Sequence, residues 1–208
     1  MATEHSRPLG RPKKESQKTP LRQQILYTAT QQFMLQGFKE VSMNLIAEKS
    51  NVTKATIYYY FDSKATLFTE MIVQLMERIR KMTEKILNDI QLSFKDRLVI
   101  LVENHMKATA DLEIQKFIRD AEPSLGDHNL RQVHQSEQQM NDVIRLAFER
   151  EMKLGTIPPQ NSLFVLQTFL SLLNVGRYKD FNNKPLFPDH HLGAQKVIDF
   201  FWAGLFAK

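Results

Sequence analysis

Between Ser42 and Asp62 the chain reads as two short helices joined by a tight turn, and no other stretch limits the possible folds as strongly. Leu45, Ile46 and Ala47 give the first helix an inward face, with Ser42 placed to cap it and the small Ala47 allowing close helix approach. Ile57 and Phe61, four apart, give the second its inward face, and Thr53 is its cap. Two such helices form a helix-turn-helix, which makes DNA the first partner to consider. Lys54, Ala55, Thr56, Tyr58, Tyr59 and Tyr60 are left wholly or partly off the inward face, so the second helix has a polar and aromatic surface with something to touch.

The rest of the chain is helical in pattern. Thr19-Pro20 is a cap residue followed by proline at the first helical position, and Leu21, Ile25, Ala29 and Phe33 recur at i+4. Gly37 then offers a left-handed stop, with Phe38 as its hydrophobic contact. After the motif, Asp62-Ser63 opens a long helix whose stripe runs Leu67, Phe68, Met71, Ile72, Leu75, Met76, Ile79 and Met82 and gives out near Leu92. Further helices are predicted over 93–110, 113–121, 128–152, 162–180 and 192–207, with turn-rich breaks over 122–126, 155–159 and 182–188. No strand pattern competes, so the fold class is all-α: a three-helix helix-turn-helix head and a helical body. The expected division is a basic tail over 1–19, the head over 20–65 and the body over 66–208. A chain of 208 residues with 42% hydrophobic residues can pack such a body.

Charge is concentrated at the start. Residues 1–64 hold 10 Lys and Arg against 5 Asp and Glu, whereas residues 65–208 hold 18 of each, so the first segment carries the whole net charge of +5. A basic head on a neutral body suits a phosphate-binding module joined to a separate sensing or assembly module. In the tail, Gly10-Arg11-Pro12 has the character of a minor-groove arm, with Arg11, Lys13 and Lys14 as candidate contacts; a solubilising tail is the other reading. The absence of cysteine excludes disulfides and thiolate metal sites. With no apolar run in the first 15 residues and no span-length apolar segment, a cytoplasmic protein without secretory signal or membrane span is expected.

Phe33-Met-Leu-Gln-Gly-Phe38, Ile46-Ala47 and the run from Val52 to Leu67 together resemble the N-terminal domain of the TetR family of bacterial transcriptional regulators, contiguously over about residues 20–70. The series Tyr58-x-Tyr60-Phe61-x-Ser63-Lys64-x-x-Leu67 is specific to that family. The resemblance implies that Thr53, Lys54, Ala55, Thr56 and Tyr59 face the major groove, and that Tyr58, Tyr60, Lys64, Ser42 and Met43 lie near phosphate oxygens. Elementary chemistry agrees for Lys64, at a helix N-terminus where backbone N–H groups favour an anion. It agrees too for a tyrosine, whose hydroxyl can donate to phosphate while its ring packs. Tyr60 has filling of the small head core as its alternative role, and Lys54 that of a solvated lysine. Two positions depart from the family. Asn51 stands where glycine is usual in the turn and tolerates the left-handed conformation. Ala55 stands where glycine is frequent, and its methyl group could meet a thymine methyl or hold the backbone off the groove.

Nothing has the spacing of catalysis: there is no His-Glu-x-x-His, Gly-rich phosphate loop or elbow serine, so neither an enzyme nor a metal or cofactor is expected. The resemblance implies instead a small, largely apolar effector in the helical body, which is rich in methionine and phenylalanine. His105, on the apolar face set by Leu98, Leu101 and Val102, is a candidate contact, as are Phe117, Phe148, Asn174 and Tyr178; each has an ordinary structural role as its alternative. The last two helices are apolar over most of their circumference, and a chain this small has little to cover them except a second copy. Leu166, Phe169, Leu170, Leu173, Phe201 and Leu205 are the expected dimer interface, within a four-helix bundle between copies. The functional expectation is a homodimeric regulator of transcription, a repressor released from palindromic double-stranded DNA by its effector. The alternative is a nucleoid-associated, architectural DNA-binding protein without a ligand.

Overall fold

The computed structural model describes residues 15–109, 114–176 and 178–207; the tail candidates Arg11, Lys13 and Lys14 lie outside them. The first helix, α1 (Glu15–Glu40), starts ahead of the expected cap, and Pro20 lies inside it. So near a helix end, a proline forfeits one backbone bond and interrupts nothing downstream. The break at Gly37 is as expected: φ 81° and ψ 167° are open to glycine and turn the chain so that Phe38 reaches the core. The helix-turn-helix follows as α2 (Met43–Lys49) and α3 (Lys54–Tyr60), then the long α4 (Lys64–Leu87). Ser42 Oγ accepts from Leu45 N–H at 3.1 Å, Thr53 Oγ1 from Thr56 N–H at 3.1 Å, and Ser63 Oγ from Thr66 N–H at 3.0 Å. Each helix start therefore has one of its orphan donors satisfied by a hydroxyl.

The chain divides into two compact units between Met71 and Ile72. In the first, Ile25, Ala29, Phe33, Ile46, Ile57, Phe61, Leu67 and Phe68 are buried. The Phe68 ring meets Phe33 edge-on at 5.3 Å and Phe38 at 4.9 Å, a geometry that suits the ring quadrupoles.

In the second unit α4 ends at Leu87, short of the expected Leu92, because its last carbonyl is taken by side chains from elsewhere. Leu87 O accepts from Arg97 Nη1 at 2.6 Å and from Arg150 Nη2 at 2.7 Å. Beyond it lie α5 (Phe94–Thr109), α6 (Ile114–Ala121), a 3-10 turn (Glu122–Ser124), α7 (Asp127–Lys153), α8 (Ser162–Val175) and α9 (His190–Phe206). Helix α8 stops before the expected Asp180, since residues 178–187 form a hairpin with one bridge, Lys179 to Pro185. Helices α5, α7, α8 and α9 share one core, in which Phe148, Phe169 and Phe201 lie 5.5–5.7 Å apart, centroid to centroid.

That core takes the residues expected between copies. Leu166, Phe169, Leu173, Phe201 and Leu205 are buried within their own unit, and Leu170 is half-buried against it. The outward side chains are a different set: Leu163, Phe164 and Val175 on α8, and Leu192, Phe200 and Phe206 on α9. When a helix is apolar all round, periodicity does not tell the inner face from the outer.

Candidate nucleic-acid interface

Helix α3 is held by one side and offers the other. Ile57 and Phe61 are fully buried, whereas Thr53, Lys54, Ala55, Tyr58 and Tyr59 are exposed and Thr56 and Tyr60 half-buried. Asn51 has φ 54°, so the turn takes the left-handed conformation expected of the residue standing in for glycine. The turn is closed by Asn51 N–H to Glu48 O and Val52 N–H to Ala47 O, each 3.0 Å. Arg22 on α1, a residue the sequence did not single out, lays its guanidinium 4.9 Å from the Phe61 ring centroid and pairs with Glu70, bracing the end of α3. Its only sequence signal is a cation beside the apolar stripe of α1.

The outward groups are organised among themselves. Thr53 and Thr56 share a hydroxyl–hydroxyl bond of 2.8 Å, Lys54 Nζ lies 5.8 Å from the Tyr58 ring centroid, and Tyr59 meets Tyr60 edge-on at 5.1 Å. Tyr59 is the most exposed of the three tyrosines of α3, and Tyr60 is partly packed, in keeping with its alternative role. Seven residues of helix span about 10 Å, short enough to lie in a major groove about 12 Å wide. The face carries hydroxyl, ammonium and methyl groups, which are those that read base edges and bind phosphate oxygens.

Two of the expected phosphate contacts, Met43 and Lys64, have side chains buried in or bonded to their own unit. The Met43 side chain is buried, and α2 begins at this residue, directly after the Ser42 cap. Lys64 Nζ donates to Phe38 O and Val41 O, both at 2.8 Å, and lies 3.3 Å from Lys39 O and 4.4 Å from the Phe38 ring centroid. Its three protons are thus engaged by carbonyls at the end of α1 and in the connection to α2. Burial pushes the ammonium down from the ordinary lysine value, and the Glu40 carboxylate pulls it back. Lys64 clamps the connection from α1 to α2 rather than standing free at the start of α4.

In the second unit the five effector candidates have different surroundings. Phe148 is fully buried core, Asn174 and Tyr178 are exposed, and His105 and Phe117 are half-buried. An open groove of about 770 Å³ between α7 and α8 is lined by none of them; His134, Glu137, Asn141, Asp142, Arg145 and Leu166 are among its walls. Burial raises the Glu137 pKa, while the hydrogen bond from Gln115 acts in the opposite direction. No described helix is long and apolar enough to cross a membrane, and no group of three or more His, Cys, Asp or Glu among the described residues could hold a metal ion.

An all-helical chain with a capped helix-turn-helix and an outward-facing second helix falls in the class of helix-turn-helix DNA-binding proteins. Residues 25–71 match the profile of the family described as bacterial regulatory proteins, tetR family. Over 85 residues the chain is 33% identical to a Bacillus subtilis protein named Uncharacterized HTH-type transcriptional regulator YdgC, covering 39% of this chain and 44% of that one. Over 64 residues it is 42% identical to Probable acrEF/envCD operon repressor of Escherichia coli K12, covering 31% and 28%. The chain thus spans less than half the length of either relative. The solved structure of Bacillus subtilis FadR in complex with stearoyl-CoA superposes with a TM-score of 0.71 over 88% of this chain and 98% of that one, at 14% identity, a likeness of fold. Over residues 25–71 the chain is thus similar to the TetR family of bacterial regulatory proteins, and over most of its length it shares the fold of the FadR structure.

Proposed function

We propose that this regulator is a homodimeric repressor that reads a palindromic operator through α3 and is released from it by a small effector. The observation that carries this reading is α3 itself, anchored by Ile57 and Phe61 while Thr53, Lys54, Ala55, Tyr58 and Tyr59 face outward. Thr53, Lys54, Ala55, Thr56 and Tyr59 read the major groove. Ser42, Tyr58, Tyr60 and the Met43 backbone N–H meet phosphate oxygens, and Arg11, Lys13 and Lys14 add a basic arm. Two-fold symmetry then sets the half-sites about 34–36 Å apart or a simple multiple of this.

Dimerisation is supported by the outward faces of α8 and α9. Helix α8 contains no charged residue at all, and depletion of charge marks the core of protein interfaces. Leu163, Phe164, Val175, Leu192, Phe200 and Phe206 form the apolar part of that surface.

The effector binds the second unit, with His105 and Phe117, both half-buried, as the candidates still placed to reach it. FadR, a neighbour in fold, is solved with stearoyl-CoA, and this favours an effector with a long apolar part. An effector that prefers one shape of the body shifts the population away from the DNA-competent state. A coupling of about 1–3 kcal/mol gives a 5- to 150-fold change in operator affinity.

The test is functional. Genomic fragments selected by the purified chain are placed ahead of a reporter. Repression by the chain, lost with a Lys54→Ala/Tyr59→Ala double variant, is the expected result. Reporter output indifferent to the chain, or repression that survives the double variant, contradicts the proposal.

A further inference from the structure

The hairpin between α8 and α9 is ordered by its own hydrogen bonds. Asp180 N–H donates to Lys184 O at 2.9 Å, Asn183 N–H to Asp180 O at 2.9 Å, and Leu186 N–H to Tyr178 O at 2.8 Å. Asp180 Oδ1 also accepts from the backbone N–H groups of Asn182 and Lys184, each at 2.9 Å. Asn183 supplies the left-handed residue at φ 62°. At the base, Phe187 lies so close to α9 that a Cβ added to Gly193 would sit 2.6 Å from its own Cβ. A seated, internally bonded hairpin has already lost the entropy that docking a loose loop would cost.

What this hairpin presents is apolar. Phe181 at its tip is 96% exposed, Tyr178 60% and Leu186 48%. The fold gains nothing from a phenylalanine held out in water, and a rigid aromatic side chain is the usual anchor of a protein interface. We propose that the hairpin 178–187 is an arm that closes on a second copy of this chain, with Phe181 as its anchor.

The occupant follows from continuity. The arm joins the end of α8 to the start of α9, whose outward faces carry Val175 and Leu192 beside it and Phe164 and Phe200 farther along. A partner that covers those faces meets the arm next. The inference rests on the dimer reading given above. Nucleic acid or an anionic lipid surface would call for a basic patch, and the arm has only Lys179 and Lys184, with Asp180 between them, beside an uncharged α8.

The full-length chain is examined by sedimentation over a dilution series as wild type, Phe181→Ser, Leu186→Ser and Phe164→Asp. A photoreactive benzophenone side chain at position 181 provides a second readout. The expected result is a wild-type dimer whose dissociation constant rises about tenfold or more in Phe181→Ser, with an unchanged helical circular-dichroism spectrum. The photoreactive chain forms a covalent species of twice the chain mass. If the wild type is dimeric and Phe164→Asp breaks it, but Phe181→Ser leaves the constant unchanged and no covalent dimer forms, the arm is overturned and the dimer stands. A wild type that is monomeric at micromolar concentration overturns both.

Discussion

Tyr59 and Phe181 are both bulky, aromatic and turned outward, yet they belong to surfaces of opposite character. The exposed aromatic residues of the first unit are Tyr27, Tyr58 and Tyr59. Those of the second are Tyr178 and four phenylalanines, Phe164, Phe181, Phe200 and Phe206. A tyrosine hydroxyl keeps a water or phosphate partner while its ring packs, so the first surface is built to stay wet against a charged polymer. Phenylalanine and leucine on and beside the uncharged α8 gain only from water leaving, which suits the second surface to the proposed contact between copies. On the proposed function, one chain thus divides its exposed aromatic groups between a reading surface and an assembling one.

A second unit that tolerated a lone buried charge would not be dry. Arg97 and Glu151 pair at 3.1 Å with side chains 8% and 5% exposed, so Glu151→Ala leaves a buried guanidinium uncompensated. A loss of about 3–5 kcal/mol is expected, measured by urea unfolding of the second unit's transition. A change under 1 kcal/mol would show that water reaches Arg97, at odds with the packing around it. Next, Phe164→Asp and Phe200→Asp each place a carboxylate on the outward faces of α8 and α9. Each should weaken self-association by about 2–4 kcal/mol in sedimentation, whereas aspartate at Leu166 should unfold the unit instead.

The wet surface is tested by smaller changes. Tyr59→Ala and Lys54→Ala should each cost about 1–3 kcal/mol on the selected operator and relax preference at one base position in competition binding. Equal losses on operator and random DNA would remove both from base reading. Lys64→Met should lower operator affinity by about 1–2 kcal/mol through the loosened α1–α2 connection while leaving the salt dependence unchanged. A slope reduced by about one charge would instead make Lys64 a phosphate ligand. The smallest effect is an acid one. Lys107 and His191, at 2.6 and 2.7 Å, hold the Glu103 carboxylate below its ordinary pKa. The stability this adds is present above the unfolded value and is lost as pH falls through the lower folded one, so Glu103→Gln should flatten the acid limb of a thermal-melting profile.

The head was legible because its determinants are local. Ser42 and Thr53 cap helices that start one residue later, Asn51 takes a turn conformation its own side chain permits, and Ile57 and Phe61 differ by one helical turn. What sequence could not supply came from distant partners. Lys64 looks free until the carbonyls of Phe38 and Val41 are brought to it. Helix α4 looks longer than it is until Arg97 and Arg150 take its last carbonyl. Leu166, Phe169, Leu173, Phe201 and Leu205, expected between copies, are buried within their own unit, because α8 and α9 are apolar on both sides and periodicity does not tell the faces apart. The hairpin was only half marked: the turn-rich break over 182–188 shows in the sequence, whereas residues 178–181 join it only through the pairing of Asp180 with Lys184 and of Leu186 with Tyr178.

Whether α3 reads sequence is decided by selecting sheared genomic DNA with the whole 208-residue chain across a salt series and sequencing the bound fragments. A few palindromic sites that survive high salt, and that vanish with Lys54→Ala/Tyr59→Ala, are the predicted result. Fragments without a shared sequence, all released together as salt rises, would contradict it and leave the basic head as a non-specific phosphate binder.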